Sequence, residues 1–184
     1  MIVAGFDVGQ QQDPSAYVEL HSYDGLDALG WAVRKVRHLP LRMAFREQAA
    51  LLQPDIDRID ALAFDSGGTG QAMGEFIDAS HLSHLVPVVI MGGSADPRIV
   101  KGRVVASKSR LVQSMLSMIA CGELVVAPDC EGRDILLREM QAFEYQPNGK
   151  FRKMEAARGA TDDAVMALAI GTLVARRMAG RVSA

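Results

Sequence analysis

An acidic residue directly follows an apolar run at the start of the chain, and this arrangement constrains the fold more than any other feature of the sequence. Residues 2–6 have the length and composition of a buried strand, and Asp7 and Gly9 come immediately after them. A carboxylate at the end of a buried strand costs on the order of several kcal/mol unless a cation or several hydrogen-bond donors neutralise it. We therefore expect Asp7 to have a charged partner elsewhere in the chain.

The order of the apolar segments predicts one α/β domain over residues 1–184, with helices on both faces of a mixed sheet. The sheet is expected to have five to six strands, at residues 2–6, 16–21, 29–38, 59–65, 86–91 and 124–127. The expected helices cover residues 41–52, 71–79, 107–121, 130–145 and 162–178, and Thr161 is expected to cap the last. We also predict a loop over residues 94–107, a helix end at Pro54 and a hairpin at Asn148-Gly149.

Three acidic features occupy equivalent places in this predicted order. Asp65 ends an apolar strand as Asp7 does, and the pair Asp162-Asp163 opens the last, largely apolar helix. If the first and fourth strands are neighbours, the first two acids meet at one edge of the sheet, and the helix can begin above that edge. Carboxylates that converge repel one another, which favours a hard divalent cation such as Mg²⁺. The alternative interpretation is that these acids are turn formers and helix caps.

Two basic segments are candidate contacts to DNA phosphates. The net charge of −2 means that any basic surface must be local. Both segments are predicted to lead towards the acidic edge, and the small number of aromatic residues fits duplex backbone binding better than single-strand stacking. Solvated charged faces are the alternative. The candidates are Arg98, Lys101, Arg103, Lys108, Lys150, Arg152, Lys153 and Arg158.

The sequence argues against several other kinds of site. Cys121 and Cys130 form no CxxC motif, which argues against a zinc site or a disulfide framework and is typical of a reducing cytoplasm. No apolar run approaches the roughly 20 residues that span a bilayer, so we expect no membrane partner. The GxxxxGK(S/T) motif of a Walker-type ATP site is also absent from the sequence.

Several of these segments together resemble the nuclease domain of tailed-phage terminase large subunits, in the RNase H-like superfamily. The resemblance covers nearly the entire chain and rests on Phe6-Asp7-Val8-Gly9, Asp13-Pro14-Ser15-Ala16, Ala63-Phe64-Asp65 and Ala160-Thr161-Asp162-Asp163-Ala164. It implies an RNase H-like fold and two-metal cleavage of double-stranded DNA with Mg²⁺ or Mn²⁺, acting on concatemeric viral genomes during packaging. By position, it implies that Asp7, Asp65 and either Asp163 or Asp162 are the catalytic metal ligands.

The resemblance also implies partners and exposes two departures. The implied partners are double-stranded DNA, a packaging ATPase, a small terminase subunit and a portal, in the host-cell cytoplasm if the protein is viral. Terminase large subunits normally carry an N-terminal ATPase that this sequence lacks, so we expect an excised domain or a stand-alone nuclease working with a separate motor. Thr161 stands where such proteins often have a histidine, so any role of that histidine is absent.

Two other functions stay open at the level of sequence. One is an ATP-binding domain of the actin-like and sugar-kinase-like class, in which D-x-G and D-S-G-G-T turns surround the phosphates. That class needs two such domains around a cleft, and 184 residues are few for this. The other is a non-catalytic RNase H-like interaction module, against which the full set of acids counts.

Overall fold

A mixed sheet with helices on both faces forms the centre of the computed structural model, which describes residues 1–9, 13–24, 29–68, 70–148, 151–156 and 161–182. The strands are β1 Ile2–Asp7, β2 Ala16–Asp24, β3 Leu29–His38, β4 Ala61–Asp65, β5 His84–Met91, β6 Arg98–Val100, β7 Arg103–Ser107, β8 Leu124–Glu131, β9 Phe143–Asn148 and β10 Phe151–Ala156. The helices are α1 Phe45–Ile56, α2 Gly70–Met73, α3 Lys108–Ala120, α4 Arg133–Ala142 and α5 Asp163–Val182.

The order of the strands places the ends of β1 and β4 side by side. Within the described residues the main sheet has eight strands in the order β6-β7-β5-β4-β1-β2-β3-β8, and β9 and β10 form a separate hairpin. β1 is antiparallel to β2 but parallel to β4, with Phe6 paired to Phe64. Because parallel strands end at the same edge of a sheet, Asp7 and Asp65 leave the sheet together, as the sequence predicts.

Each face of the sheet carries its own apolar core. Successive residues of a strand face opposite sides, so Val3 lies in one core while Ala4 and Phe6 lie in the other. α3, α4 and α5 contribute to the core that contains Val3, and α1 contributes Leu52 and Ile56 to the second core. This arrangement confirms the predicted α/β class with helices on both faces. No helix among the described residues is long and apolar enough to cross a membrane.

Two glycines let α5 lie unusually close to the sheet. A Cβ added to Gly5 of β1 would lie 1.9 Å from the Ala167 backbone oxygen and 2.5 Å from the Gly171 backbone nitrogen. A Cβ added to Gly171 would in turn lie 3.1 Å from the Gly5 nitrogen. The helix therefore packs backbone against backbone on β1, and this contact sets the position of its first turn above the sheet edge.

The sheet has more strands than expected because the segment 94–107 is not a loop. β6 and β7 form a hairpin there, with Lys101 and Gly102 at positive φ in its turn (48° and 77°). Val104 and Ala106 of β7 are buried against the sheet. The sequence contains apolar pairs on either side of Lys101-Gly102, which are typical of a hairpin. Basic residues lie next to these pairs, and for that reason the segment was predicted to be a loop.

The ends of the helices and of β8 also differ from the expected bounds. α1 continues past Pro54 to Ile56, because Ile56 is buried and the neighbouring Asp55 pairs with Lys35 of β3 at 2.7 Å. β8 extends to Glu131, which pairs with Lys35 in the sheet, so α4 begins later than predicted. α2 is a single turn instead of the expected nine-residue helix. β9 and β10 pair as the predicted hairpin, with Asn148 opposite Phe151, and Gly149 lies outside the described residues.

Candidate metal centre

Asp7 and Asp65 lie at the shared end of β1 and β4, where each carboxyl is partly withdrawn from water. The Gly67 backbone N–H donates to Asp65 Oδ1 at 2.8 Å, which orients that side chain. Burial raises the pKa of Asp65, and the Gly67 N–H opposes this rise. The pKa of Asp7 is raised well above its ordinary value, first by burial and then by the charges of Asp65, Asp163 and Asp162. Asp7 thus lies within electrostatic reach of every other predicted acidic ligand.

Asp163, the first residue of α5, is the most buried of the four acids. It is 7% exposed, and its Oδ2 atom has no hydrogen-bond partner among the described residues. Burial, followed by the charges of Glu139 and Asp13, raises the pKa of Asp163 to about 7, against the opposing effect of His38. A buried carboxylate oxygen with nothing to accept from is costly, and a bound cation would remove that cost.

Asp162 has a different environment from its neighbour. Its Oδ2 accepts from Lys108 Nζ at 2.6 Å, and its backbone oxygen accepts from the Met166 N–H, so it is the residue that precedes the first turn of α5. Lys108 also acts on Asp7. Its positive charge lowers the pKa of that carboxyl, against the raising effects of burial and of the neighbouring acids. Asp162 is therefore already neutralised by a protein cation, whereas Asp163 is not hydrogen-bonded at Oδ2.

Glu139, which no sequence motif indicates, holds the start of α5. Its Oε2 accepts from the backbone N–H groups of Ala164 (2.7 Å) and Val165 (3.2 Å), and its Oε1 accepts from Thr161 Oγ1 at 2.7 Å. The expectation that Thr161 caps the helix is therefore wrong, because its hydroxyl donates a hydrogen bond to Glu139. The acceptor for the first N–H groups of α5 is Glu139, which belongs to α4. One signal existed: Glu139 lies three residues after the buried Leu136, on the apolar face of α4.

The predicted phosphate contacts fall into three groups. Arg98 and Lys101 are exposed on the β6–β7 hairpin, while Arg103 is partly buried, with Nη1 3.5 Å from Gln71 Oε1. Lys108 lies inside the acidic cluster and is paired with Asp162. The remaining candidates belong to the β9–β10 region: Arg152 and Lys153 lie on β10, and Lys150 and Arg158 fall outside the described residues.

The donor set at the sheet edge fits a hard divalent ion. Asp7, Asp65 and Asp163 offer only carboxylate oxygens, the ligand type that Mg²⁺ and Mn²⁺ prefer. The raised pKa of all three carboxyls reflects burial without adequate neutralisation. The Oδ2 atom of Asp163, which has no hydrogen-bond partner among the described residues, is free to bind such an ion. The residues present therefore suit the divalent ions that the sequence predicts.

Solved structures with the same architecture are nuclease domains of viral terminases. The large terminase nuclease from thermophilic phage G20c, with bound magnesium, has a TM-score of 0.62 and 22% identity over 93% of this chain and 79% of that chain. The g2p (large terminase) nuclease domain from the bacteriophage SPP1, with bound Mn, has a TM-score of 0.60 and 13% identity over 95% and 86%. The human cytomegalovirus terminase nuclease domain has a TM-score of 0.61 and 12% identity over 97% and 85%.

These likenesses lie in structure and not in sequence. No known protein-family model and no curated protein matches the chain. The three structures nevertheless cover more than nine tenths of the chain. The chain therefore has the RNase H-like fold of the nuclease domains of terminase large subunits.

Proposed function

We propose that the protein is a divalent-metal-dependent endonuclease that hydrolyses phosphodiester bonds of double-stranded DNA. The observation that carries this proposal is the convergence of Asp7, Asp65 and Asp163 at one edge of the sheet, where their charges are under-neutralised. The fold supports the same function, because its structural neighbours are nucleases recorded with bound magnesium, cobalt and Mn.

Asp7, Asp65 and Asp163 are the residues that would hold the metal, with Asp7 in the central position. When bound, two Mg²⁺ or Mn²⁺ ions would lower the pKa of the attacking water and stabilise the leaving oxygen. The Gly67 N–H orients Asp65, and Glu139 fixes the turn that carries Asp163. Lys108 holds Asp162 by its carboxylate, so we assign the third ligand to Asp163 and not to Asp162.

Phosphate contacts would come from the basic residues around this edge. The exposed Arg98 and Lys101 lie on the hairpin that precedes α3, and α3 begins with Lys108 beside the acids. Such contacts give binding that is independent of sequence and weakens with salt. Arg103, Lys150, Arg152, Lys153 and Arg158 are proposed to extend the same surface.

The biological substrate that we propose is the concatemeric DNA of a virus, cut during genome packaging. The neighbours in structure are terminase nucleases of phages and of human cytomegalovirus, which supports this setting. A packaging ATPase, a small terminase subunit and a portal would then be the protein partners. Pull-down of the chain with a packaging ATPase of the same virus tests this part separately from the chemistry.

Cleavage of supercoiled plasmid tests the proposed chemistry. The chain should nick and linearise plasmid in Mn²⁺ or Mg²⁺ and not in EDTA, and Asp65→Asn should abolish cleavage while leaving the circular dichroism unchanged. Asp129→Asn is a matched control, because Asp129 is an exposed aspartate on β8 whose side chain pairs with Arg34. Full activity of the Asp65→Asn protein would refute the assignment.

The same assay separates the two adjacent acids of α5. Asp163→Asn should lose cleavage as completely as Asp65→Asn, whereas Asp162→Asn should keep most of it, because Asp162 is committed to Lys108. The reverse order of effects would place the third ligand at Asp162.

A further inference from the structure

A buried carboxylate oxygen without a hydrogen-bond partner lies beside the acidic edge, close to a histidine and a second carboxylate. Among the described residues, Asp163 Oδ2 has no hydrogen-bond partner, whereas His38 Nε2 meets the carboxylate of Glu139 at 2.9 Å. Both residues lie next to the carboxylate of Glu139. A buried carboxylate oxygen without a partner costs free energy, so this cluster favours a further positive partner beside Asp163.

The three residues come from three different elements. His38 ends β3, Glu139 lies on α4 and Asp163 begins α5. One potential ligand atom from each lies within 4.8 Å of the others. Glu139 and Asp163 are buried (6% and 7% exposed), and the His38 side chain is about one quarter exposed. The cluster therefore brings one nitrogen and two carboxylate donors together within the protein.

The spacing of His38 and Glu139 suits two ligands of one ion. Nε2 of His38 lies 2.9 Å from Oε1 of Glu139, a distance at which the two groups pair when the imidazole is protonated. Two atoms bound at right angles to one ion, each about 2.1 Å from it, lie about 3 Å apart. The other contacts of Glu139, to Thr161, Ala164 and Val165, hold its carboxylate in place as neighbouring groups commonly do for metal ligands.

We propose that His38, Glu139 and Asp163 bind one first-row transition-metal ion, of the class Mn²⁺, Co²⁺ or Zn²⁺, at a second site. The imidazole makes the site different in kind from the all-oxygen group of Asp7 and Asp65, since nitrogen ligands favour transition metals over Mg²⁺. Asp163 belongs to both sites, so an ion here ties β3, α4 and α5 together and holds the proposed nuclease ligand. The site itself does not require the protein to be a nuclease.

A proton shared between His38 and the two carboxylates is the competing occupant. It would also relieve the crowding of negative charge, but it would leave the protein unable to retain a divalent ion when Asp7 and Asp65 are replaced. The two occupants therefore make opposite predictions in a binding experiment.

Metal binding to the full chain carrying both Asp7→Asn and Asp65→Asn separates the two sites. Calorimetric titration with Mn²⁺ and with Co²⁺ should show that one ion still binds to this variant. Adding His38→Gln should weaken that binding at least about tenfold. His21→Gln is the matched control, because His21 makes a similar contact with Glu19 (2.6 Å) on β2, outside the cluster, and it should leave binding unchanged.

A spectroscopic measurement checks that histidine is a ligand. Electron spin-echo spectra of Mn²⁺ bound to the Asp7→Asn and Asp65→Asn protein should show coupling to an imidazole nitrogen, and His38→Gln should remove it. Absence of a bound ion in the double variant would overturn the proposal in favour of a shared proton. Binding and nitrogen coupling that survive His38→Gln would overturn it as well. Plasmid cleavage plays no part in these readouts, so failure of the proposed nuclease function remains a separate result.

Discussion

The close contact between β1 and α5 makes Gly5→Ala a sensitive test of how the fold positions the acidic residues. The added Cβ would lie 1.9 Å from the Ala167 oxygen, whereas ordinary van der Waals contact begins at 3.4 Å. The three nearest atoms all belong to the backbone of α5, so no side chain can rotate away to make room. The helix must move from the strand by about 1.5 Å, since protein interiors have no free volume to absorb the difference.

This displacement has two measurable consequences. Overpacking of this kind costs about 1–3 kcal/mol, and in a chain of this size each kcal/mol lowers the melting temperature by about 2–4 °C. Ala167 lies one turn after Asp163, so the same movement carries Asp163 away from Asp7 on β1. A misplacement of about 1 Å at a catalytic centre can reduce the rate about 100-fold. We therefore expect Gly5→Ala to lower both thermal stability and the rate of plasmid cleavage.

Gly180→Ala provides the matched control in the same helix. A Cβ at Gly180 meets nothing within 4 Å, and replacement of a helical glycine by alanine stabilises by at most about 1 kcal/mol. Its melting temperature should stay level or rise, with cleavage unchanged. A Gly5→Ala protein that melts and cleaves like the unaltered chain would refute the argument that this contact sets the position of Asp163.

Three further predictions concern the groups around Asp163. Glu139→Ala should lower the free energy of unfolding in urea by about 1–3 kcal/mol, because the N–H groups at the start of α5 lose their acceptor, and Glu139→Gln should lose less. Equal losses would argue against the capping role. Without divalent ions, the free energy of unfolding should fall as pH rises from about 4 to 7, because the pKa of Asp163 is about 7 in the folded protein and near 3.8 in the unfolded chain. Asp163→Asn should flatten this slope, and an unchanged slope would contradict the assignment. Lys108→Ala should weaken DNA binding in a filter-binding assay without weakening Mn²⁺ binding, because it removes a cation from the acidic cluster; weaker Mn²⁺ binding would contradict this.

The acidic residues were predictable from sequence because each one interrupts or ends an apolar element. An unpaired carboxylate at the end of a buried strand costs free energy in most environments. Asp7 and Asp65 are therefore candidates for a functional site without any structural information. Hydrophobic periodicity was also enough to predict the α/β class. Apolar residues recur about every second position in a half-buried strand and about every 3.6 positions in a helix. The pair Asp162-Asp163 was predictable in the same way, but the sequence left open which of the two is the ligand.

The partners of Lys108 and Glu139 depend on the tertiary structure. Lys108 is one of several basic residues near the start of a helix, and only the folded chain brings its Nζ atom within 2.6 Å of Asp162, 54 positions away. In the sequence, Glu139 is one polar residue of an amphipathic helix. Its role at the start of α5 follows only from the packing of α4 against that helix. The β6–β7 hairpin was missed for a related reason, since its pairing with β5 depends on strands that lie elsewhere in the chain.

The sequence by itself determined that Asp7 and Asp65 end buried strands and that Asp162-Asp163 opens a buried helix, because burial patterns are local. The tertiary structure alone decided which acid of the pair is unneutralised and that His38 and Glu139 join Asp163. Those facts depend on contacts between residues far apart in the chain, which no local pattern records. The close approach of Gly5 and Gly171 sets the distance at which these groups meet.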